Sequence, residues 1–270
     1  MPNNNKQNVF NFWNEASCGE DLLLETMDKE GYLNQSHSRY ILEPFIKDFA
    51  KFSQYGSKNV LEIGVGLGSD HQQFAEAGAV LSGIDLTQRA IDHARSRFEL
   101  FNLHSNLSVG DAEALDFKDN MFDLVFSWGV IHHSPNTSKA VSEIHRVLKP
   151  GAQAKVMIYY KWSMVGLMLW VRYALLALKP WKSLSSVYAE FLESPGTKAY
   201  SAKEAKALFA AFYSVEISTV LTHGDLLTSG AGQRHTSFLL KLARKIWPRR
   251  LIKKVFKNNG LFLMISVRKS

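Results

Sequence analysis

The chain has 270 residues, 46% hydrophobic and 12% aromatic, which is enough to bury one substantial core and excludes the disordered and fibrous classes. Its single cysteine, Cys18, excludes an intrachain disulfide and a cysteine zinc cluster, and the stretch Met1 to Gln7 lacks the basic-then-apolar order of a secretory signal, so a cytoplasmic setting is expected. The formal charge of +7 is local: Lys241 to Lys257 holds eight Lys or Arg and no acid, leaving the rest near neutral, so no basic face for nucleic acid spreads over the fold.

Residues 1–58 read as a helical cap or lid ahead of the core. Within them Trp13, Tyr32, His37, Arg39 and Tyr40 offer apolar bodies with polar tips for an acceptor pocket or for simple packing, and Arg39 to Lys51 is expected to be one helix with Ile41, Leu42, Phe45, Ile46 and Phe49 on a single face. From Asn59 to about Tyr160, short apolar runs alternate with amphipathic stretches, the pattern of βαβ units. Strands are expected at Asn59 to Ile63, Val80 to Asp85, Leu107 to Val109, Asp123 to Ser127 and Ala152 to Tyr159. Lys149-Pro150-Gly151 reads as the turn that ends a helix over Ser138 to Leu148. Ser201 to Phe212 has a serine N-cap and a helical pattern, and Val215 to Leu221 and Leu261 to Val267 suggest a closing antiparallel pair. No linker or internal repeat divides the chain, so residues 59–270 form one α/β domain, a doubly wound and mostly parallel sheet, with insertions at about 161–200 and 225–258.

The most informative run is Val60-Leu61-Glu62-Ile63-Gly64-Val65-Gly66-Leu67-Gly68, an apolar strand leading directly into three glycines at alternate positions. Glycine permits a tight turn and lets a ligand approach where a Cβ would stand, and the N–H groups opening the next helix point into the same crevice. Asp85 ends the second strand, where such folds place an acid to accept hydrogen bonds from ribose hydroxyls. A nicotinamide dinucleotide is the rival ligand, but its fingerprint requires glycine three positions after Gly66, and that position is Ser69.

With these blocks in order the sequence resembles the class I S-adenosylmethionine-dependent methyltransferases, in particular the small-molecule branch that includes the ubiquinone and menaquinone enzymes (methyltransferase type 11). The resemblance covers roughly Asn59 to Tyr160. It rests on Glu62 to Gly68, Gly83-Ile84-Asp85-Leu86, Gly110-Asp111-Ala112-Glu113, Phe122 to Ser127, and Arg146 to Gly151. It implies a Rossmann-like seven-stranded sheet, S-adenosyl-L-methionine as cofactor and S-adenosyl-L-homocysteine as product. It further implies that Glu62, Gly64, Gly66 and Gly68 surround the methionine part, that Asp85 holds the ribose, and that Leu86 packs on the adenine. Asp111 would accept from the adenine amino group beside Ala112, Ser127 would lie near the cofactor at the end of the fourth strand, and Tyr40 would close the site.

A sulfonium methyl is already electrophilic, so such an enzyme mainly aligns an acceptor and excludes water, a step that can lower a barrier by roughly 7 to 11 kcal/mol. The candidates for a general base are His132 and His133, at the crevice mouth after the fourth strand; capping or packing in the loop is the competing reading. No His/Asp/Glu spacing resembles a preformed metal site. Trp162 to Leu178 is apolar but short for a membrane span and suits a lid. Ser237 to Phe256, with its basic core 241–257, reads as a basic amphipathic cover or as a peripheral membrane contact. Three functions follow: methyl transfer to a small-molecule acceptor (O, S, N or C nucleophile), transfer to a lipid or quinone acceptor at the membrane surface, or a non-catalytic cofactor-binding interaction module. Nucleic acid is not an expected partner.

Overall fold

The computed structural model describes residues 3–229 and 244–270. Its strands are β1 (Asn59–Ile63), β2 (Val80–Asp85), β3 (Asn106–Val109), β4 (Phe122–Trp128), β5 (Leu148–Tyr160), β6 (Ala199–Tyr200), β7 (Ser214–Val220) and β8 (Phe262–Arg268). They form one sheet in the order β3-β2-β1-β4-β5-β8-β7, and the two-residue β6 pairs with the end of β5. The first five strands are parallel, while β8 runs antiparallel between β5 and β7. The expected mostly parallel sheet with a closing antiparallel pair is therefore present, with β6 as an eighth strand.

Four helices precede the sheet: α1 (Asn3–Glu15), α2 (Glu20–Leu23), α3 (Lys29–Leu42) and α4 (Phe45–Ala50). Between strands lie α5 (Ser69–Glu76), α6 (Gln88–Leu100) and α7 (Thr137–Val147). The later helices are α8 (Met164–Trp170), α9 (Leu184–Phe191), α10 (Ala202–Leu208), α11 (His223–Leu226) and α12 (Arg249–Val255).

Period-two alternation feeds both sheet faces, as a parallel sheet covered on both sides requires. Leu61, Ile63, Val125, Val156 and Ile158 pack with Ala140, Ile144 and Val147 of α7, whereas Val60, Leu124, Phe126 and Met157 pack with Phe74 of α5 and Ile46 of α4. Because β1 is flanked by β2 on one side and β4 on the other, successive crossovers leave in opposite directions, and a crevice opens at the carboxyl ends of these strands.

Two expectations are corrected. The single helix over Arg39 to Lys51 is two helices, because Pro44 has no backbone N–H to continue the ladder and instead caps α4; Ile41 is 63% exposed. Lys149-Pro150-Gly151 does follow the end of α7, but lies inside β5, where the register jumps from Phe122↔Leu148 to Leu124↔Gln153 and Gly151 takes φ 75°. The extra residues make a bulge.

The apolar run after β5 folds as α8 and a π turn, Val171–Leu175, with Ser163 capping α8 through Gly166 N–H. Among the described residues no helix is long and apolar enough to cross a membrane. In the basic segment, Phe238, Leu239, Leu242 and Ala243 lie outside the described residues. Trp247 packs on Met164, Leu226 and Ile252, while Ile246 is exposed.

Candidate active site

The glycine turn has the backbone it needs. Gly64, Gly66 and Gly68 have φ of 83°, 49° and 76°, in the left-handed region that side chains disfavour. Gly64 N–H and Val65 N–H both donate to Ile84 O, at 2.7 and 3.2 Å, tying the turn to β2. A Cβ on Gly64 would stand 2.1 Å from Val130 Cγ2, whereas one on Gly66 would meet nothing within 4 Å because it points into open space. Gly68 caps α5 and packs against Ala94 and Arg97.

That space is a cavity of about 580 Å³ at the carboxyl end of the sheet, within the ~300–1,000 Å³ common for small-molecule sites. Glu62, Gly64, Gly66, Asp85, Leu86, Asp111, Ala112 and His133 all line it. Gly68, Ser127, His132 and Tyr40 do not. Ser127 is fully buried one residue before Trp128, which does face the cavity. The Tyr40 hydroxyl donates to Asp70 Oδ1 at 2.8 Å, and Arg39 donates to Asp70 Oδ2 at 2.6 Å, so this part of α3 latches onto the start of α5.

Asp85 accepts from Gly66 N–H, Thr87 N–H and Thr87 Oγ1 at 3.2, 3.1 and 3.1 Å; burial raises its pKa, and these hydrogen bonds oppose the rise. Asp111 accepts from Lys6 Nζ at 2.6 Å and from Glu113 N–H at 2.9 Å. Buried Glu62 faces His71 Nδ1 at 2.9 Å, and His71 Nε2 lies 2.8 Å from Ser105 Oγ. Burial pushes the Glu62 carboxyl well above its usual range and the His71 imidazole down to about 3, so the pair is held neutral in a shared hydrogen bond.

The two histidines after β4 have different surroundings. His132 is fully buried, has no hydrogen-bond partner on either ring nitrogen, and is driven well toward the neutral form by burial. His133 faces the cavity: its Nδ1 lies 2.8 Å from Ser194 Oγ and 3.1 Å from Thr197 Oγ1, and its Nε2 is 3.3 Å from Glu193 Oε2. Glu193 also accepts from the Tyr159 hydroxyl at 2.6 Å. Sequence reasoning missed Glu193, Tyr159, Lys6 and His71. Only His71 carried a signal, since α5 follows the glycine turn directly and its first turn must face β1 and β2.

A family model described as a methyltransferase domain matches residues 61–155, the stretch that contains the glycine turn, Asp85 and Asp111. Over this stretch, about a third of the chain, the sequence is similar to a methyltransferase domain. Over 118 residues, 43% of the chain, the sequence is 38% identical to phosphoethanolamine N-methyltransferase 2 of Caenorhabditis elegans, covering 26% of that protein. Over 96 residues, 36% of the chain, it is 28% identical to a ubiquinone biosynthesis O-methyltransferase of Coxiella burnetii, covering 41% of it. The chain thus spans well under half the length of these relatives. The fold matches phosphoethanolamine N-methyltransferase 2 of Haemonchus contortus, solved with phosphomonomethylethanolamine and S-adenosylhomocysteine. There the TM-score is 0.54 at 18% identity, over 85% of this chain and 52% of that one.

The cavity suits S-adenosylmethionine on its own geometry. Gly66 leaves room where a Cβ would intrude, and Asp85 and Asp111 place carboxylate acceptors along one wall, which suits the donor groups of a ribose and an adenine amine.

Proposed function

We propose that this protein transfers the methyl group of S-adenosylmethionine to a small-molecule acceptor. The observation that carries this reading is one cavity lined together by the glycine turn, Asp85, Asp111 and His133. When bound, the cofactor supplies a methyl group already activated by its sulfonium.

The protein's own residues do the rest. The turn Gly64 to Gly66, with Glu62 behind it, receives the methionine part; Asp85 accepts from the ribose, Leu86 packs on the adenine, and Asp111 beside Ala112 accepts from its amino group. His133 takes the acceptor's proton, its ring held at Nδ1 by Ser194 and Thr197, with Glu193 Oε2 3.3 Å from Nε2. Trp13, Trp128 and Phe262 wall the cavity and exclude water. His132, away from the cavity and unpaired, supports the loop by packing against Tyr159, ring centroids 4.1 Å apart.

Residues 1–58 act as the cap of this domain, and the segments after β5 and β7 complete its acceptor side. Calorimetry with S-adenosylhomocysteine, followed by transfer of labelled methyl into metabolite and lipid fractions, tests the reading. Saturable binding and label incorporation that falls by about 10²-fold in His133→Ala are expected. Folded protein that takes up no heat from the cofactor product would sink it.

A second feature favours an acceptor met at a membrane surface. Leu175, Leu176, Leu178 and Trp181 are exposed beside Lys179 and Lys182, and Leu251 and Val255 are exposed beside Arg250, Lys253 and Lys254. The two segments are joined where Asn259 O accepts from Met164 N–H and Asn259 Nδ2 donates to Trp162 O, each at 3.0 Å. Apolar side chains among cations suit an anionic lipid surface.

A further inference from the structure

The segments after β5 and β7 meet in one wall of the cavity, and a buried carboxylate joins them. Asp225 Oδ1 accepts from Val165 N–H at 3.1 Å, and its Oδ2 accepts from Thr222 N–H and Leu261 N–H, each at 2.8 Å. Val165, Thr222 and Leu261 all line the cavity, so α8, α11 and the approach to β8 face it as a unit. Leu192 and Phe262 line it too and pack with Val165 and Leu261 in one apolar cluster.

His223, next to Thr222, puts an imidazole into this apolar wall. The residue lines the cavity and is half-buried; Ser229 Oγ meets its Nδ1, whereas Nε2 has no hydrogen-bond partner among the described residues. Unlike the ring nitrogens of His132, this Nε2 is not shut inside the protein. Burial lowers the His223 pKa, which keeps the ring neutral near neutral pH. The Ser229 hydroxyl can give or take the proton at Nδ1, so Nε2 is an acceptor in one tautomer and a donor in the other. A ligand hydroxyl matches both, whereas a hydrocarbon laid over Nε2 would leave a polar atom buried and unpaired. An anionic group finds no counterpart. The Lys and Arg side chains among the described lining residues are Lys6 and Arg39, and both are held in ion pairs, with Asp111 and Glu113 and with Asp70 and Glu43.

We propose that the acceptor is an apolar hydroxyl compound without an anionic group, lying against this wall with its hydroxyl hydrogen-bonded to His223 Nε2. This rests on the methyl-transfer reading above and narrows its acceptor. His223 is a specificity-determining residue: it selects and orients the acceptor and takes no part in the bonds made and broken. The apolar side chains beside it receive the acceptor's body, and the hydrogen bond rewards a hydroxyl at one place on it.

The test is calorimetry on the full chain loaded with S-adenosylhomocysteine. The probes share one shape: 3-phenylpropan-1-ol, propylbenzene and 3-phenylpropionate. The expected result is saturable binding of the alcohol, about fivefold or more tighter than that of the hydrocarbon, with no heat from the carboxylate. His223→Phe should bring the alcohol down to the level of propylbenzene while S-adenosylhomocysteine binding stays within about twofold. In nitrogen NMR of the unaltered chain, the His223 Nε2 resonance should move with the alcohol and stay in place with propylbenzene. Absence of alcohol binding to loaded protein, or hydrocarbon or carboxylate binding as tight, overturns the proposal. So does an alcohol preference that survives in His223→Phe. Should that variant not fold, an Nε2 resonance that ignores the alcohol overturns it equally. Failure of S-adenosylhomocysteine itself to bind strikes the methyl-transfer reading on which the proposal rests.

Discussion

Lys6 Nζ lies 2.6 Å from Asp111 Oδ2 and 2.9 Å from Glu113 Oε2, so the first helix is tethered across the end of the cavity proposed for the adenine. The carboxylate expected to accept from the ligand already holds a cation from the same chain.

This tether should set the rate of cofactor exchange. The Lys6 and Asp111 side chains are each about one-third exposed, and ion pairs at that level contribute roughly 0.2–1 kcal/mol. Lys6→Met is therefore expected to speed S-adenosylhomocysteine release by up to about fivefold, followed by stopped-flow tryptophan fluorescence. An unchanged release rate would show that α1 does not gate the site.

The glycines of the turn should separate stability from binding. In Gly64→Ala the new methyl meets Val130 at 2.1 Å in a left-handed backbone, so a loss of several kcal/mol and a large fall in Tm are expected. Gly66→Ala has the same backbone objection but no collision; it should lose about 1–2 kcal/mol and far more of its cofactor affinity, because its methyl enters the cavity. Parallel thermal melts and calorimetric titrations check both, and equal behaviour would count against the placement.

The Glu62 and His71 pair predicts a particular pH profile. Folded, the pair holds one proton, with Glu62 raised and His71 lowered to about 3. Unfolded, it binds none above about 6.5, one between about 4.5 and 6.5, and two below. The pair's contribution should therefore be level between about 4.5 and 6.5. It falls as pH rises beyond 6.5, until the folded carboxyl ionises, and falls again as pH drops below 4.5. His132, neutral by burial and without a carboxylate partner, adds a loss that begins as pH drops below about 6.5. Glu62→Gln should keep the fold and flatten the decline above 6.5, whereas Glu62→Ala should destabilise it by about 1–3 kcal/mol. Chemical denaturation across pH 4 to 9 distinguishes these outcomes.

The exposed apolar and cationic side chains on α12 and after the π turn should bind anionic lipid. Co-sedimentation with phosphatidylserine vesicles at low salt, lost at high salt and reduced in a Leu176→Ser, Leu178→Ser, Trp181→Ser variant, is the expected result. No pelleting at low salt would end the membrane reading.

Much of the sheet was legible in the chain because each strand is marked locally. Asn59 to Ile63 and Val80 to Asp85 came out with the observed bounds, since glycine and aspartate stop them where the crevice begins. The helix over Arg39 to Lys51 failed for a local reason that periodicity overlooks: Pro44 interrupts an otherwise continuous apolar face. That Glu62, Gly64, Gly66, Asp85, Leu86, Asp111 and Ala112 share one cavity was readable because they sit at fixed offsets from strand ends. The contacts around His133 and Asp111 were not, because Glu193 approaches His133 from a distant segment without a motif, and Lys6 reaches Asp111 from a helix that shows no pattern of its own. Tyr40 and Ser127 were expected beside the ligand, yet α3 turns the first toward Asp70, and the alternation of β4 turns the second away from the cavity.

The antiparallel insertion of β8 between β5 and β7 has a kinetic consequence. Its register, Gln153↔Arg268 through Tyr159↔Phe262, joins segments about a hundred residues apart, a closure that is slow on entropic grounds. Until it happens, the longest strand of the sheet has an open, sticky flank and β7 has nothing to dock on. Refolding should therefore be limited by this last zip, and crowded, unassisted chains should be most prone to clump in the interval before it.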